Sequence, residues 1–148
     1  MTARITSVMN ADRNKVCRLI SLEQHHDERG SLSVVEPEHA VGFTVRRVYY
    51  LHGVESSALR GGHAHRSLEQ LIIAVHGGFT ITIDDGLERA EYQLAQPGVG
   101  LYVGPMVWRS LSEFSMGAVC LVLASDRYDE ADYYRDYSEF LQASRRQP

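Results

Sequence analysis

An all-β barrel or sandwich of about eight to ten short strands, carrying one C-terminal helix, is the fold this sequence predicts. Short stretches rich in Val, Ile, Tyr and Thr recur along the 148 residues, punctuated by Gly, Pro and Asp. One of them, Phe79-Thr80-Ile81-Thr82-Ile83, alternates with period two, which places Phe79, Ile81 and Ile83 on one face. Helical spacing of apolar residues emerges only near the end of the chain.

In order, residues 1–14 are expected to be a flexible lead-in, and residues 15–148 one domain. Residues 16–22 read as the first strand, 27–31 (Asp-Glu-Arg-Gly-Ser) as a turn, and 32–36 as extended chain. Residues 43–51, dense in Val and Tyr, read as strand. The continuous apolar run 71–75 suits a strand covered on both faces. Asp84-Asp85-Gly86 turns the chain from 79–83 into 87–94, because Asp-Gly tolerates the positive φ of a tight turn. Gln96-Pro97-Gly98 breaks it again, and 100–103, 107–111 and 118–124 complete the strands. A helix is expected over about 129–145. Tyr133, Tyr137, Phe140 and Leu141 share its face, acids lie in its first turn, and Arg145 and Arg146 close its last.

The net charge of −4 argues against a nucleic-acid or anionic-membrane partner. No apolar run is long enough to span a bilayer, and the N-terminus lacks the apolar stretch of a signal peptide. Cys17 and Cys120 each sit in an apolar stretch and read as buried free thiols, so a cytoplasmic protein is expected. All basic residues except Lys15 are arginines. That bias suits an anionic ligand, since guanidinium grips phosphate through paired hydrogen bonds, and it equally suits a base-composition bias of the genome.

The segment richest in chemistry is Arg60-Gly61-Gly62-His63-Ala64-His65. On a strand, the period of two puts both imidazoles on one face. Such a pair can ligate a metal or move protons near neutral pH. His25, His26 and His39 show no ligand spacing and read as solvated loop residues, His76 as a strand end, and His52 is assigned no role.

A β-barrel with His-x-His at the head of an apolar strand resembles the cupin superfamily of small jelly rolls. Within it, the string from Arg60 through Gln70 resembles the dTDP-4-keto-6-deoxy-glucose 3,4-ketoisomerase family. So do Arg47-Val48-Tyr49-Tyr50, residues 99–105, residues 122–126 and Asp132-Tyr133-Tyr134-Arg135-Asp136-Tyr137. The resemblance covers about residues 15 to 141 and rests on five separated strings in one order, which is far more specific than a lone His-x-His. The resemblance implies an enzyme that moves a keto group from C4 to C3 of a dTDP-linked sugar on the way to 3-amino deoxysugars.

The superfamily also contains metal enzymes, which add a glutamate and a later histidine to the His-x-His pair. Gln70 stands where that glutamate is expected and Arg109 where the late histidine falls. A neutral amide is a weak ligand and a guanidinium is none. Glu69 is one residue off, which on a strand is the opposite face. The expectation is therefore no metal. The isomerisation has no net redox change and the chain has no Gly-x-Gly-x-x-Gly fingerprint, so no nicotinamide is expected either. Two other readings remain. One is a metal-dependent cupin, either a dioxygenase or a phosphosugar isomerase. The other is a non-catalytic nucleotide-sugar-binding cupin.

By resemblance the base is His63, with His65 as its partner in orientation or protonation; the residues alone do not separate the two. Tyr49 would donate to the enediolate oxygen or shuttle its proton. Arg47 and Arg60 would hold the diphosphate or sugar oxygens. Gln70 and Arg109 would line the sugar site. Tyr50, on the opposite face from Tyr49, is expected in the core. Trp108 could stack on thymine or fill the core. The family commonly reads Val-Trp-His where this chain has Val107-Trp108-Arg109. Cations at Arg109 and at Arg29 could rotate the sugar relative to His63, so the C4 configuration of the product stays open between gluco and galacto, leaning to gluco. Association into a homodimer is expected, answering exposed strand edges, and exchange of the N-terminal strand is one way to form it.

Overall fold

The computed structural model describes residues 16–146. The flexible segment expected at 1–14 lies outside the described residues.

Twelve strands and two α-helices are described: β1 (Cys17–Ser21), β2 (Glu23–Asp27), β3 (Gly30–Val34), α1 (Pro37–Ala40), β4 (Arg47–Leu51), β5 (Arg60–His65), β6 (Gln70–His76), β7 (Phe79–Asp84), β8 (Arg89–Leu94), β9 (Val99–Val103), β10 (Trp108–Ser112), β11 (Val119–Ala124), β12 (Tyr133–Tyr134) and α2 (Tyr137–Arg146). One five-stranded sheet runs β1-β9-β6-β11-β4, the other β12-β5-β10-β7-β8, and β2-β3 is a separate ribbon. Every pairing is antiparallel.

Period-two patterning builds the core. Ile72, Ala74, Leu101, Val103, Cys120 and Val122 from the first sheet share one cluster with Phe79, Ile81, Ile83, Tyr92, Leu94 and Leu111 from the second. This is the packing of two sheet faces in a jelly roll. β6 is covered on its other face too: Leu71 and Ile73 pack with Tyr102, Leu22, Val41 and Phe43 in a second cluster. The continuous apolar run expected of a doubly covered strand is thereby explained. Both thiols are free and buried, and burial pushes each up to about 12, which leaves them unreactive.

Several elements differ from the sequence reading. The C-terminal helix begins at Tyr137, well after the expected start at 129. Glu130–Asp132 is a short 3₁₀ turn, in which the Asp129 side chain accepts from the Ala131 N–H, and Tyr133 lies in β12, paired with His65. The apolar spacing was real, but Tyr133 is drawn to the barrel by an open strand edge. Residues 23–27 form a strand that was not expected, because the ribbon is exposed throughout β2 and has no apolar alternation to read. His25 and His26 therefore lie on a strand and His39 on α1, all exposed. Tyr50 is 60% exposed on the outer face of the edge strand β4, so its expected core position is wrong. The first strand pairs with β9 of its own chain.

Candidate active site

A break in β5 aims the first histidine. The register of β5 against β10 shifts between Arg109 and Ser110, so that Arg109 opposes His63 and Ser110 opposes Gly61. Such a bulge re-aims the strand locally. It requires Gly61 and Gly62 at φ of 79° and 73°, and a Cβ on Gly61 would meet the Arg109 carbonyl at 3.0 Å. Two glycines before the histidine are thus a backbone requirement.

His63 and His65 then stand edge to face, ring centroids 4.9 Å apart at 85°, but in different surroundings. His63 lines a cavity of about 570 Å³ that opens between the two sheets. His65 is 1% exposed, and its Nδ1 lies 3.1 Å from Asp132 Oδ2. Tyr133 packs against both rings, at 5.0 Å from His63 and 4.3 Å from His65. Burial lowers His63 to about 4, with the charge of Arg109 adding to it, a hydrogen bond to the Gly61 backbone opposing it, and Arg135 and Arg47 lowering it further. His65 is also held well below its ordinary value, by burial first and then by Arg109 and His63. Both imidazoles are therefore neutral at pH 7.

Across the cavity a directed chain of hydrogen bonds ends on a phenol. Arg109 is fully buried; its Nε and Nη2 donate to the Val107 carbonyl, at 3.1 and 2.8 Å, and its Nη1 donates to Gln70 Oε1 at 2.5 Å. With its oxygen held there, Gln70 turns its amide nitrogen to Tyr49 and donates to the hydroxyl across 3.0 Å. Burial lowers Arg109 to about 10, so it stays charged at pH 7. Burial also raises Tyr49, opposed by Arg109 and Gln70, so the phenol keeps its proton.

Among the described residues, four guanidinium groups line the cavity, from Arg47, Arg60, Arg109 and Arg135, and no carboxylate does. Arg47 lies over Tyr49 and Tyr128, and its Nε is buried without a hydrogen-bond partner. Arg135 lies 4.2 Å above Tyr133 and pairs with Glu130 through two hydrogen bonds. A neutral base, a protonated phenol and a cationic wall suit proton transfer on a sugar that carries a phosphate anion.

Of the residues expected here, His63, Tyr49, Arg47, Arg60, Gln70 and Arg109 line this cavity, and His65 sits behind His63. Trp108 does not line it: its ring packs on Tyr137 and Phe140 of α2, at 5.3 and 5.7 Å. Arg29 does not either, because it lies beyond β2 in the exposed ribbon, paired with Asp27. Tyr128, Asp132, Tyr133 and Arg135 were missed as site residues. Reading 129–145 as helix hid Asp132, Tyr133 and Arg135, although the aromatic Tyr133-Tyr134 pair between polar residues is itself a strand signal; Tyr128 precedes that range and carried no motif of its own.

For metal ligation the donor set is poor. Gln70 is committed at both ends of its amide, Arg109 is a cation, and His65 Nδ1 is bound to Asp132. Among the described residues no group of three or more His, Cys, Asp or Glu side chains is arranged to hold an ion.

The fold and this cavity define a cupin-type jelly roll with an interior polar site. Residues 15–145 match the family model described as "FdtA: WxcM-like, C-terminal". This chain belongs to that family. It is 42% identical over 123 residues to the TDP-4-oxo-6-deoxy-alpha-D-glucose-3,4-oxoisomerase of Aneurinibacillus thermoaerophilus, covering 83% of this chain and 88% of that one. A mutant of the 3,4-ketoisomerase QdtA from Thermoanaerobacterium thermosaccharolyticum, in complex with TDP-4-keto-6-deoxyglucose, superimposes with a TM-score of 0.87 at 36% identity. That match covers 89% of this chain and 96% of the other. The WlaRB TDP-quinovose 3,4-ketoisomerase from Campylobacter jejuni gives 0.82 at 43% identity, covering 85% and 97%.

Proposed function

We infer that this chain is a sugar-nucleotide 3,4-ketoisomerase that converts TDP-4-keto-6-deoxyglucose into its 3-keto isomer. The observation that carries the reading is one cavity holding a neutral imidazole and an oriented phenol within a wall of arginines.

The reaction moves two hydrogens. One passes from C3 to C4, the other from the C3 hydroxyl to the C4 oxygen. His63 takes the C3 proton and becomes an imidazolium; the electron pair forms the C3–C4 double bond and charge gathers on O4. Tyr49, whose oxygen already accepts from Gln70, donates its proton to O4 and completes the enediol. The imidazolium of His63 then returns its proton to C4, and the phenolate of Tyr49 takes the proton of the C3 hydroxyl as C3 becomes the ketone. Atoms and charge balance without an external oxidant or acid. Arg47, Arg60 and Arg135 hold the diphosphate and sugar oxygens at the mouth, and its negative charge offsets the arginines that depress His63. Gln70 and Arg109 act from beneath by keeping the phenol proton aimed into the cavity.

We read the assembly as a homodimer and the location as cytoplasmic. Exposed Val48 and Tyr50 on the edge strand β4 support the first. The free thiols at Cys17 and Cys120 and a nucleotide-linked substrate support the second. The committed donor set at Gln70 and Arg109 supports turnover without a metal.

Incubating the protein with TDP-4-keto-6-deoxyglucose in deuterated water, with no metal added, tests the reading by NMR of the ring protons. A new 3-keto species is expected, at a rate unchanged by a chelator. An unaltered substrate spectrum would overturn it, and activity that tracks bound iron or zinc would favour the metal-dependent alternative.

A further inference from the structure

The carboxylate of Asp132 is not accounted for by substrate contact, since it does not line the main cavity. It lies behind the histidines in a dense set of donors. Oδ1 accepts from the Ser67 N–H at 2.9 Å and from the Ser67 hydroxyl at 2.7 Å. Oδ2 faces His65 Nδ1 at 3.1 Å and accepts from the Leu68 N–H at 3.3 Å. The Asp132 backbone is fixed as well: its carbonyl accepts from the Arg66 N–H at 2.8 Å, and β12 begins at the next residue. Burial pushes the carboxyl up, but hydrogen bonds from the Ser67 side chain and backbone, with His65 beside it, outweigh burial and keep it ionised.

A carboxylate offers only acceptors, so the nitrogen facing it must carry the hydrogen. His65 is neutral, so its single N–H is on Nδ1, and Nε2 is a bare lone pair. That Nε2 is buried and, among the described residues, has no hydrogen-bond partner. A buried acceptor left unsatisfied is costly, so it needs a reason to persist. The ring that carries it stands edge to face with His63. When His63 becomes an imidazolium, a neutral neighbour with a bare lone pair is far better tolerated than a second cation.

We propose that Asp132 is a positioning residue of the isomerisation: it fixes His65 as the Nδ1–H tautomer, so that the ring standing edge to face with His63 stays neutral and carries a bare Nε2. The proposal rests on the reading of His63 as the base. It goes beyond that reading in assigning a tautomer and the residue that enforces it.

Asp132→Asn in the full-length chain tests it. The two Ser67 donors would hold the amide oxygen at the Oδ1 position, which turns an NH₂ group toward His65 Nδ1 and forces the hydrogen to Nε2. Long-range nitrogen–proton NMR of the imidazoles should show Nδ1–H for His65 in the wild type and Nε2–H in Asp132→Asn. With TDP-4-keto-6-deoxyglucose, kcat should fall on the order of 100-fold while KM changes less than about threefold. Wild-type His65 protonated on Nε2 overturns the proposal, and this measurement needs no variant to fold. So does a variant whose tautomer has switched while kcat is retained. If the wild type proves inactive on this substrate, the reading of the reaction fails, yet the tautomer remains measurable. Ser67→Ala removes one donor to the carboxylate without changing its charge; it should retain the Nδ1–H tautomer and most of kcat.

Discussion

The Gln70 amide donates to the Tyr49 hydroxyl across 3.0 Å, and the direction of that bond is set elsewhere, by Arg109 holding the amide oxygen at 2.5 Å. A phenol that accepts from one side must donate on another, and the open side is the cavity. Tyr49→Phe removes the donor and should lower kcat about 100-fold with little change in KM. Gln70→Leu leaves the phenol in place but frees its rotor, and strips a partner from buried Arg109. It should cost about 10-fold in kcat and also lower stability. Steady-state kinetics on both variants check this; an equal rise in KM in each would show that the two merely bind sugar.

His63 carries the proton between carbons, so His63→Asn should lower kcat by about 10³-fold or more. Because the arginine wall is untouched, TDP binding followed by calorimetry should remain. Deuterium exchange at C3 should vanish along with product. Residual exchange in the variant would move the base to another group.

Burial and neighbouring cations hold His63 at about 4, below the ordinary imidazole value of about 6.5. The unprotonated base persists down to that pH, so kcat/KM should hold through pH 6 and fall only as pH approaches 4. Stability follows the same shift. The unfolded chain takes up a proton on this ring as pH drops below about 6.5, whereas the folded chain does so only near 4. The folded state therefore loses stability as pH falls through that window, and His65, shifted in the same direction, adds to the loss. Thermal melts of the wild type and His63→Gln should diverge between pH 6.5 and 4, the variant losing less. Parallel curves would mean that His63 titrates normally.

The barrel was legible because period-two patterning reports burial directly. Phe79, Ile81 and Ile83 face the core as their alternation required, and 71–74 is covered on both faces, while Val75 at the strand's end is 40% exposed. The cavity wall was legible where a strand's period and a motif agreed, at Tyr49, His63 and Gln70. Three things were not. The β2–β3 ribbon is exposed throughout β2 and carries no apolar signal. Tyr133 falls in phase with the helix that follows, yet it pairs with β5, and a hydrogen-bonded edge cannot be seen in residue spacing. Asp132 lies far from His65 in sequence, so their contact comes from topology alone. Trp108 and Arg29 fall outside the cavity for one reason: a residue type suited to a ligand says nothing about which side of the wall it occupies.

Trp108 provides the sharpest test of that last point. It lies on β10 directly before buried Arg109, so its side chain takes the face turned away from the barrel interior. There it meets Tyr137 edge-on at 5.3 Å and Phe140 at 5.7 Å, and Phe140 is fully buried. The same helix is anchored by Tyr137, whose hydroxyl donates to Asp84 Oδ2 at 2.5 Å, while Arg89 Nε donates to that oxygen at 2.9 Å. Trp108→Ala would remove the platform under Tyr137 and Phe140 and leave α2 held by the Tyr137 hydroxyl and the contact of Phe140 with Tyr134. Trp108 is only partly buried, so the cost should fall below that of a fully buried Trp, at about 2–3 kcal/mol. For a chain of this size that is a drop of roughly 5–10 °C in Tm. Below the variant's melting range, KM for the nucleotide sugar should match the wild type. The opposite result, an unchanged Tm with a raised KM, would return the indole to the nucleotide and require α2 to be held by something else.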